Sequence, residues 1–303
     1  MPSLSSLALG FPIIYLMLNL SQFRTVMLPH HFKQVNAMAS VTLAAVAKQF
    51  FSDRSTQVYS LLLAITLSIY MVGALNVAPE VFSSTSMPDV SAAIMWCAFG
   101  WFLYLVQEYI SHVWIFHMSP PKSLNGYRLL YRLHMGHHDR PKRLDILATP
   151  MWFTFPILLL NAALMVMLAP TAWIACLLLL GLLSGYLMFE WFHLLVHTPY
   201  PLRNSWLRFI QQRHLAHHYK NENRWFTVTP FGSLIDDLMG TGGSVDSAAS
   251  SKNPRNGTLE PNDPRILFAR QYYSSQSDGT PEESELWLGT ASNNRSLTHA
   301  NNA

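Results

Sequence analysis

Residues 151–197 read MWFTFPILLLNAALMVMLAPTAWIACLLLLGLLSGYLMFEWFHLLVH. Two apolar runs, 151–168 and 171–189, approach the roughly 20 residues that a helix needs to cross a bilayer. Only Ala169-Pro170 separates them, so the two runs read as a tight transmembrane hairpin. Working outward, residues 58–78 and 91–109 form two more runs of the same kind. Half of the 303 residues are hydrophobic and 12% are charged, against about 25% charged in soluble domains. The expected fold is therefore all-α, an integral membrane four-helix transmembrane bundle. A shorter apolar run, residues 7–20, has no Lys or Arg before it, which argues against a secretory signal peptide. It is expected to lie on the membrane surface or to insert partly.

Charge orients the bundle. If the four spans alternate, residues 76–90 and the Ala169-Pro170 turn share one side. All 20 Lys and Arg then fall on the other: four before the first span, six between the second and third, ten after the fourth. The basic side, with both termini, is expected to be cytoplasmic. The domain reading is residues 1–57 as an N-terminal cytosolic or interfacial segment, 58–241 as the transmembrane domain, and 242–303 as a disordered tail rich in Ser, Asn, Gly and Pro. The sequons at Asn256 and Asn294 would face the cytoplasm and stay unglycosylated. Cys97 and Cys176 sit in apolar runs and read as small buried hydrophobes. The basic residues are not interleaved with aromatics as a nucleic-acid groove requires, so nucleic acid is not an expected partner.

Thirteen histidines are present, and ten lie between positions 112 and 218. They form four groups: His112 and His117 (H-x4-H); His134, His137 and His138 (H-x2-H-H); His193 and His197 (H-x3-H); His214, His217 and His218 (H-x2-H-H). Random order would give about 0.02 copies of H-x2-H-H per chain, and there are two. Residues at i, i+3 and i+4 share a helix face, so each group can aim its imidazoles at one point. Because a two-span hairpin separates the second group from the third, all four emerge on the same side as a histidine-rich helical cap on the cytosolic face. Ten imidazoles exceed one ion's coordination sphere, so two ions are expected. Imidazole suits Fe, Zn, Cu and Ni alike. His30, His31 and His299 belong to no group and read as ordinary surface or core residues.

Three carboxylates are expected to support the imidazoles. Glu108 precedes His112 by one turn, and Glu190 precedes His193 by three residues. An acid in an apolar segment needs a partner, and orienting a liganding imidazole is a sufficient reason. Asp236, with Asp139 and Asp237, is weighed equally against helix capping. The aromatics Trp114, Phe116, Trp152, Phe189, Trp191 and Phe192 read chiefly as an interfacial belt, with some lining a slot beneath the metals. A metal transporter or sensor is the reading from another class. Transport calls for polar ligands near mid-span, and the central parts of the runs hold neither histidine nor acid.

The order H-x4-H, H-x2-H-H, H-x3-H, H-x2-H-H resembles the histidine signature of the fatty acid hydroxylase/sterol desaturase superfamily. Several local stretches are similar to its fatty acid 2-hydroxylases of sphingolipid metabolism. These are Glu108-Tyr109 leading to His112, Phe116-His117-Met118 with Pro120-Pro121, and Leu133-His134-Met135-Gly136-His137-His138 with Pro141. Gly185-Tyr186 before His193, and Phe231-Gly232, Asp236 and Gly240-Thr241 after the last group, complete the likeness. The resemblance covers about residues 91–241. It implies two iron ions at the ten histidines (zinc in isolated protein), O2, and hydroxylation of a lipid acyl chain at C2 of a fatty acid or ceramide. Sterol desaturation and carotenoid hydroxylation are the sister activities. It also implies electrons from NAD(P)H through cytochrome b5 or a ferredoxin. The chain carries no cytochrome b5 motif, so a separate donor protein is expected. The resemblance places the protein in the endoplasmic reticulum membrane of a eukaryote or the inner membrane of a bacterium.

Overall fold

A computed structural model of the chain describes residues 41–75 and 87–274. The run at 7–20, His30, His31, His299 and Asn294 lie outside the described residues. Among the described residues every regular element is helical, as expected for an all-α chain.

The helices are α1 (Leu43–Ser52), α2 (Arg54–Ala74), α3 (Val90–Ile110), α4 (Leu124–Leu130), α5 (Gly136–Asp139), α6 (Met151–Leu168), α7 (Ala172–His197), α8 (Ser205–Tyr219), α9 (Gly232–Leu238) and α10 (Pro264–Ser274). Two π-helical turns interrupt this series. Ser111–Phe116 continues α3, and Tyr131–Met135 joins α4 to α5 in one helical run. Four helical stretches are long and apolar enough to cross a membrane: Arg54–Ala74, Val90–Phe116, Leu144–Leu168 and Ala172–His197.

Local chemistry sets where these helices begin. Asp53 Oδ1 accepts the N–H of Ser55 at 2.8 Å and of Thr56 at 3.2 Å. Asp89 accepts from Ala92 at 2.8 Å and the Thr171 hydroxyl from Ile174 at 3.2 Å. Each side chain satisfies a donor that the first helical turn leaves free. Capping by Asp53 starts the first span at Arg54, four residues before its hydropathic edge. The second and fourth spans instead run past their apolar stretches, to Phe116 and His197. Hydropathy marks where lipid ends, whereas the helix continues into the packed cap. His193 and His197 consequently lie on the span helix itself.

Helix α7 is the hub. In its most apolar 18-residue window 56% of residues are buried, against 11–17% in the other three spans. It packs along most of α3 and along α2, with α6 more loosely against it. Between apolar helices in lipid there is little hydrophobic drive, so close backbone approach matters. Gly100 on α3 and Gly181 on α7 provide it. A Cβ on Gly181 would lie 2.0 Å from the Cys97 carbonyl oxygen, and one on Gly100 would lie 2.1 Å from that of Leu178. The lower core, with Tyr59, Tyr104, Leu183 and Tyr186, forms around this contact. Large apolar side chains such as Val166, Met167 and Leu168 remain exposed on the outer faces, as lipid-facing surfaces do.

The expected disordered tail is corrected for residues 242–274. Apolar periodicity is weak there, yet Leu259, Ile266 and Ala269 bury against Tyr127, Leu130 and Tyr131. Helix α10 packs on α4, and Asn256 is itself buried. A few well-placed apolar residues and two arginines, described below, supply what periodicity did not show.

Candidate metal centre

The span ends that carry histidines meet at one end of the bundle, and all ten clustered histidines come together there. They sort into two sets of five. His112, His117, His134, His138 and His217 form one; His137, His193, His197, His214 and His218 form the other. Within each set the ligand nitrogens all lie within 4.8 Å of one another. Only His117 and His197 are not fully buried.

This sorting crosses the sequence groups. On a helix turning about 100° per residue, positions i and i+4 lie about 40° apart, while i+3 lies about 60° to the other side. His134 and His138 accordingly join one set and His137 the other. The second H-x2-H-H run does the same: His214 and His218 go one way and His217 the other. Each run therefore ties the two sets together. The expectation that each group converges on a single point is corrected for both runs.

H-x4-H obeys a different rule. On an α-helix, i and i+5 diverge by about 140°, and His112 and His117 would face apart. The π-turn at Ser111–Phe116 removes the conflict, with the His117 N–H donating to the His112 carbonyl at 3.1 Å. The two rings stack with centroids 5.1 Å apart. Single π-turns of this kind concentrate at functional sites.

The imidazoles are poised as neutral donors of lone pairs. Burial pushes His134, His137, His138, His214 and His218 well below the usual histidine range, and His217 down to about 4. His217 Nδ1 donates to the Arg224 carbonyl at 2.7 Å, which leaves its Nε2 bare, buried and without a partner. Both ring nitrogens of buried His138 lie clear of any side-chain partner, with the Pro254 carbonyl beside the ring. Elsewhere Nε2 faces Nε2: His112 and His134 at 2.9 Å, His137 and His193 at 2.9 Å, His197 and His214 at 2.8 Å. Buried polar atoms are normally paired. Nitrogens crowded together with no donor between them fit a shared cation, and five imidazoles per set can hold one.

The three carboxylates act one step further back than expected. Glu108 Oε1 accepts the backbone N–H of Val228 at 2.8 Å and of Thr229 at 3.2 Å. Glu190 accepts from the N–H of Thr149 at 3.1 Å. Asp236 takes the N–H groups of Phe226 and Thr227, both at 3.0 Å, and the hydroxyls of Thr227 and Thr241. None touches an imidazole, because the histidines crowd one another and leave loop amides as the nearest unsatisfied donors. Glu108 and Asp236 thereby fix residues 226–229, and the Phe226 ring packs against His112, His117 and His217. Beside it Trp225, fully buried, holds φ at 54°. Such a conformation costs a non-glycine residue energy that its surroundings must supply. The Trp225 N–H donates to Thr241 and its indole N–H to Gly243, which sustains it.

Asp139 does not cap a helix either. Arg270 grips it through Nε and Nη2, at 2.7 and 2.5 Å, and the Tyr131 hydroxyl donates to it at 2.8 Å. Arg255 donates to the carbonyls of His138 and Asp139. Asp237 pairs with Arg213 at 2.8 Å. Sequence reasoning passed over Arg224, Phe226, Arg255 and Arg270, since no local pattern marks a residue that acts through its backbone or across more than a hundred positions.

Beneath His112 a narrow cavity of about 50 Å³ opens among α2, α3, α6 and α7. Phe116 and Phe189 line it, whereas Trp114 and Trp152 are exposed on the outside.

Fold and site together define an all-helical, multi-pass membrane domain built round two interleaved histidine sets able to hold metal. Residues 97–241 match the model of the fatty acid hydroxylase family. A dihydroceramide fatty acyl 2-hydroxylase of Arabidopsis thaliana, FAH2, is 30% identical over 162 residues, covering 50% of this chain and 62% of the relative. The ceramide very long chain fatty acid hydroxylase SCS7 of Saccharomyces cerevisiae is 28% identical over 159 residues, covering 52% and 40%. The fatty acid 2-hydroxylase of Homo sapiens is 27% identical over 136 residues, covering 43% and 35%. The chain thus matches less than two thirds of the length of each of these relatives. Among solved structures, full-length Scs7p, in which only the hydroxylase domain is visible, aligns with a TM-score of 0.51 at 26% identity. That alignment covers 64% of this chain and 69% of the other.

Proposed function

We propose that this protein is a membrane oxygenase that hydroxylates a lipid acyl chain with O2, at C2 of a fatty acid or ceramide. One observation carries the reading: two five-imidazole sets, interlocked by split H-x2-H-H runs, sit at the end of a bundle of four apolar helices. The kinship with fatty acyl and ceramide hydroxylases supports it.

In this reading all ten clustered histidines hold two iron ions, which zinc can replace in isolated protein because imidazole accepts both. Bound there, iron supplies the O2-activating chemistry that no side chain provides. The chain's own residues do the rest. Burial keeps the imidazoles unprotonated and water away. The Arg224 carbonyl sets the tautomer of His217. Glu108, Glu190 and Asp236 hold the loops behind the histidines in place. Electrons come from NAD(P)H through a separate cytochrome b5 or ferredoxin. The histidine end and both termini face the cytoplasm, on the endoplasmic reticulum membrane in a eukaryote or the inner membrane in a bacterium.

The test is mass spectrometry of lipids from cells expressing wild-type or His137→Ala chains. One added oxygen on acyl chains, seen only with wild type, is expected. New sterol double bonds or hydroxylated carotenoid rings would move the activity to a sister branch. No lipid change with either donor supplied would leave a metal-binding membrane protein without the enzyme.

A further inference from the structure

Helix α9 has two faces of opposite character. Gly232 and Asp236, four residues apart, are buried toward the loop behind the histidines. A Cβ on Gly232 would lie 2.7 Å from the Thr227 Cβ, and Asp236 takes donors from residues 226, 227 and 241. Phe231, Leu234 and Leu238 form an i, i+3, i+7 stripe on the opposite face. They are 57%, 64% and 82% exposed, and Met239 beside them is 52% exposed. Phe231 also holds φ at 69°, a costly conformation for a bulky residue that keeps its ring at the surface. Large apolar side chains gathered in this way mark an interaction surface.

The depth of the stripe follows from what flanks it. The Val228 and Thr229 N–H groups donate to Glu108, and the Thr241 hydroxyl donates to that of Tyr109 at 3.4 Å. The chain before and after α9 is thus pinned to the last two residues of the apolar run 91–109, and α9 itself packs on α3. That run ends where the hydrocarbon ends. One turn further on, Trp114 is exposed, as aromatics at the headgroup level are. The stripe therefore lies level with the boundary between acyl chains and headgroups. A second copy of the chain fits it poorly, since a stable protein interface takes about 20–30 residues a side.

We propose that residues 231–239 seat the cap on the bilayer, with Phe231, Leu234, Leu238 and Met239 entering the upper acyl region of the leaflet on the histidine side. The partner is a lipid surface, met by apolar contact. The segment has no Lys or Arg, so anionic headgroups are not required. Because the same helix carries Asp236, the bilayer backs the loop that holds Phe226 against the histidines. The proposal does not rest on the hydroxylase reading.

The experiment uses the full chain in phosphatidylcholine nanodiscs, one copy per disc. An environment-sensitive fluorophore is attached at Leu234→Cys or Leu238→Cys, in chains that also carry Cys97→Ala and Cys176→Ala. Lys252→Cys, at a side chain 83% exposed, serves as the water-facing reference. Quenching at 234 and 238 should peak for a nitroxide high on the acyl chain, at the roughly 5–10 Å depth of an interfacial helix. It should exceed quenching at 252 severalfold, and a water-soluble quencher should give the reverse order. The unmodified chain supplies a second measurement. A lipid with a diazirine high on its acyl chain should tag residues 231–239 and spare 252–261, as peptide mass spectrometry would show. Equal access of the water-soluble quencher to 238 and 252 would overturn the proposal. So would a diazirine pattern that spares 231–239, or shielding from lipid and water alike, which would mean that protein covers the stripe.

Discussion

At the scale of the residue, the division of each H-x2-H-H run makes the two sets separable by single substitutions. His137 belongs to one set and His217 to the other. Each alanine variant should therefore lose its own set's ion first, taking the chain from two ions to about one, as elemental analysis of purified protein would show. Turnover should vanish in both. Equal loss of both ions from either variant would instead mean one coupled site. Asp236 offers a different lever, because it contacts no imidazole but gathers two backbone amides and two hydroxyls. Asp236→Ala strands these buried donors and should cost about 3 kcal/mol. Chemical denaturation in detergent would measure that cost, and the relaxed Phe226 loop should weaken metal retention with it.

At the scale of the element, two contacts decide whether the cap sits correctly on the spans. The α3–α7 crossing allows no side chain at Gly181, where the nearest atom is rigid backbone. Gly181→Val should push the helices apart and sharply lower the yield of folded protein. Size-exclusion profiles in detergent would show it, and a wild-type profile would contradict the crossing. The second contact is the clasp of α10 on α5 through Arg270 and Asp139. Arg270 is 28% exposed and Asp139 only 5%, so solvent screens the pair from one side alone. Arg270→Ala leaves a buried carboxylate with only the more distant Arg140 at 4.0 Å, and a loss of about 1–3 kcal/mol is expected. Limited proteolysis should find residues 242–274 cut first in that variant.

At the scale of the whole molecule, the metal-free cap should be sensitive to acid. A histidine titrates near 6.5 when unfolded, while burial holds folded His217 near 4 and depresses its neighbours in the same direction. Between these values the unfolded chain binds more protons, so stability rises with pH across the window and levels off above it. Thermal unfolding of metal-free protein should thus fall steadily from pH 6.5 toward pH 4, and a flat profile would count against buried neutral imidazoles. Topology is testable at the same scale. Tags at Ser84 and at the C-terminus should report opposite faces of the membrane, because the 20 basic residues all lie off the two short loops. Finding both on one face would undo the four-span arrangement.

Much of this was legible in the order of residues alone. Apolar run length specifies four spans, since a bilayer demands a fixed length of helix whatever its neighbours are. The repeated histidine spacing marks the ten side chains, because three- and four-residue intervals are local geometry. Which histidine stands with which was not legible. It depends on helix rotation, on a π-turn that a letter string does not announce, and on helices meeting from opposite ends of the domain. The three carboxylates stand out in the sequence as acids beside apolar or histidine-bearing stretches, but their partners at residues 149 and 226–229 are distant in sequence and are backbone amides, which every residue has. The strap at 242–274 looked like a polar tail because its hold rests on Arg255, Arg270 and a few buried apolar side chains. Short-range pattern determined the elements and the kind of chemistry. Only the tertiary structure decided the pairing, because pairing is a property of space between helices and not of spacing along one.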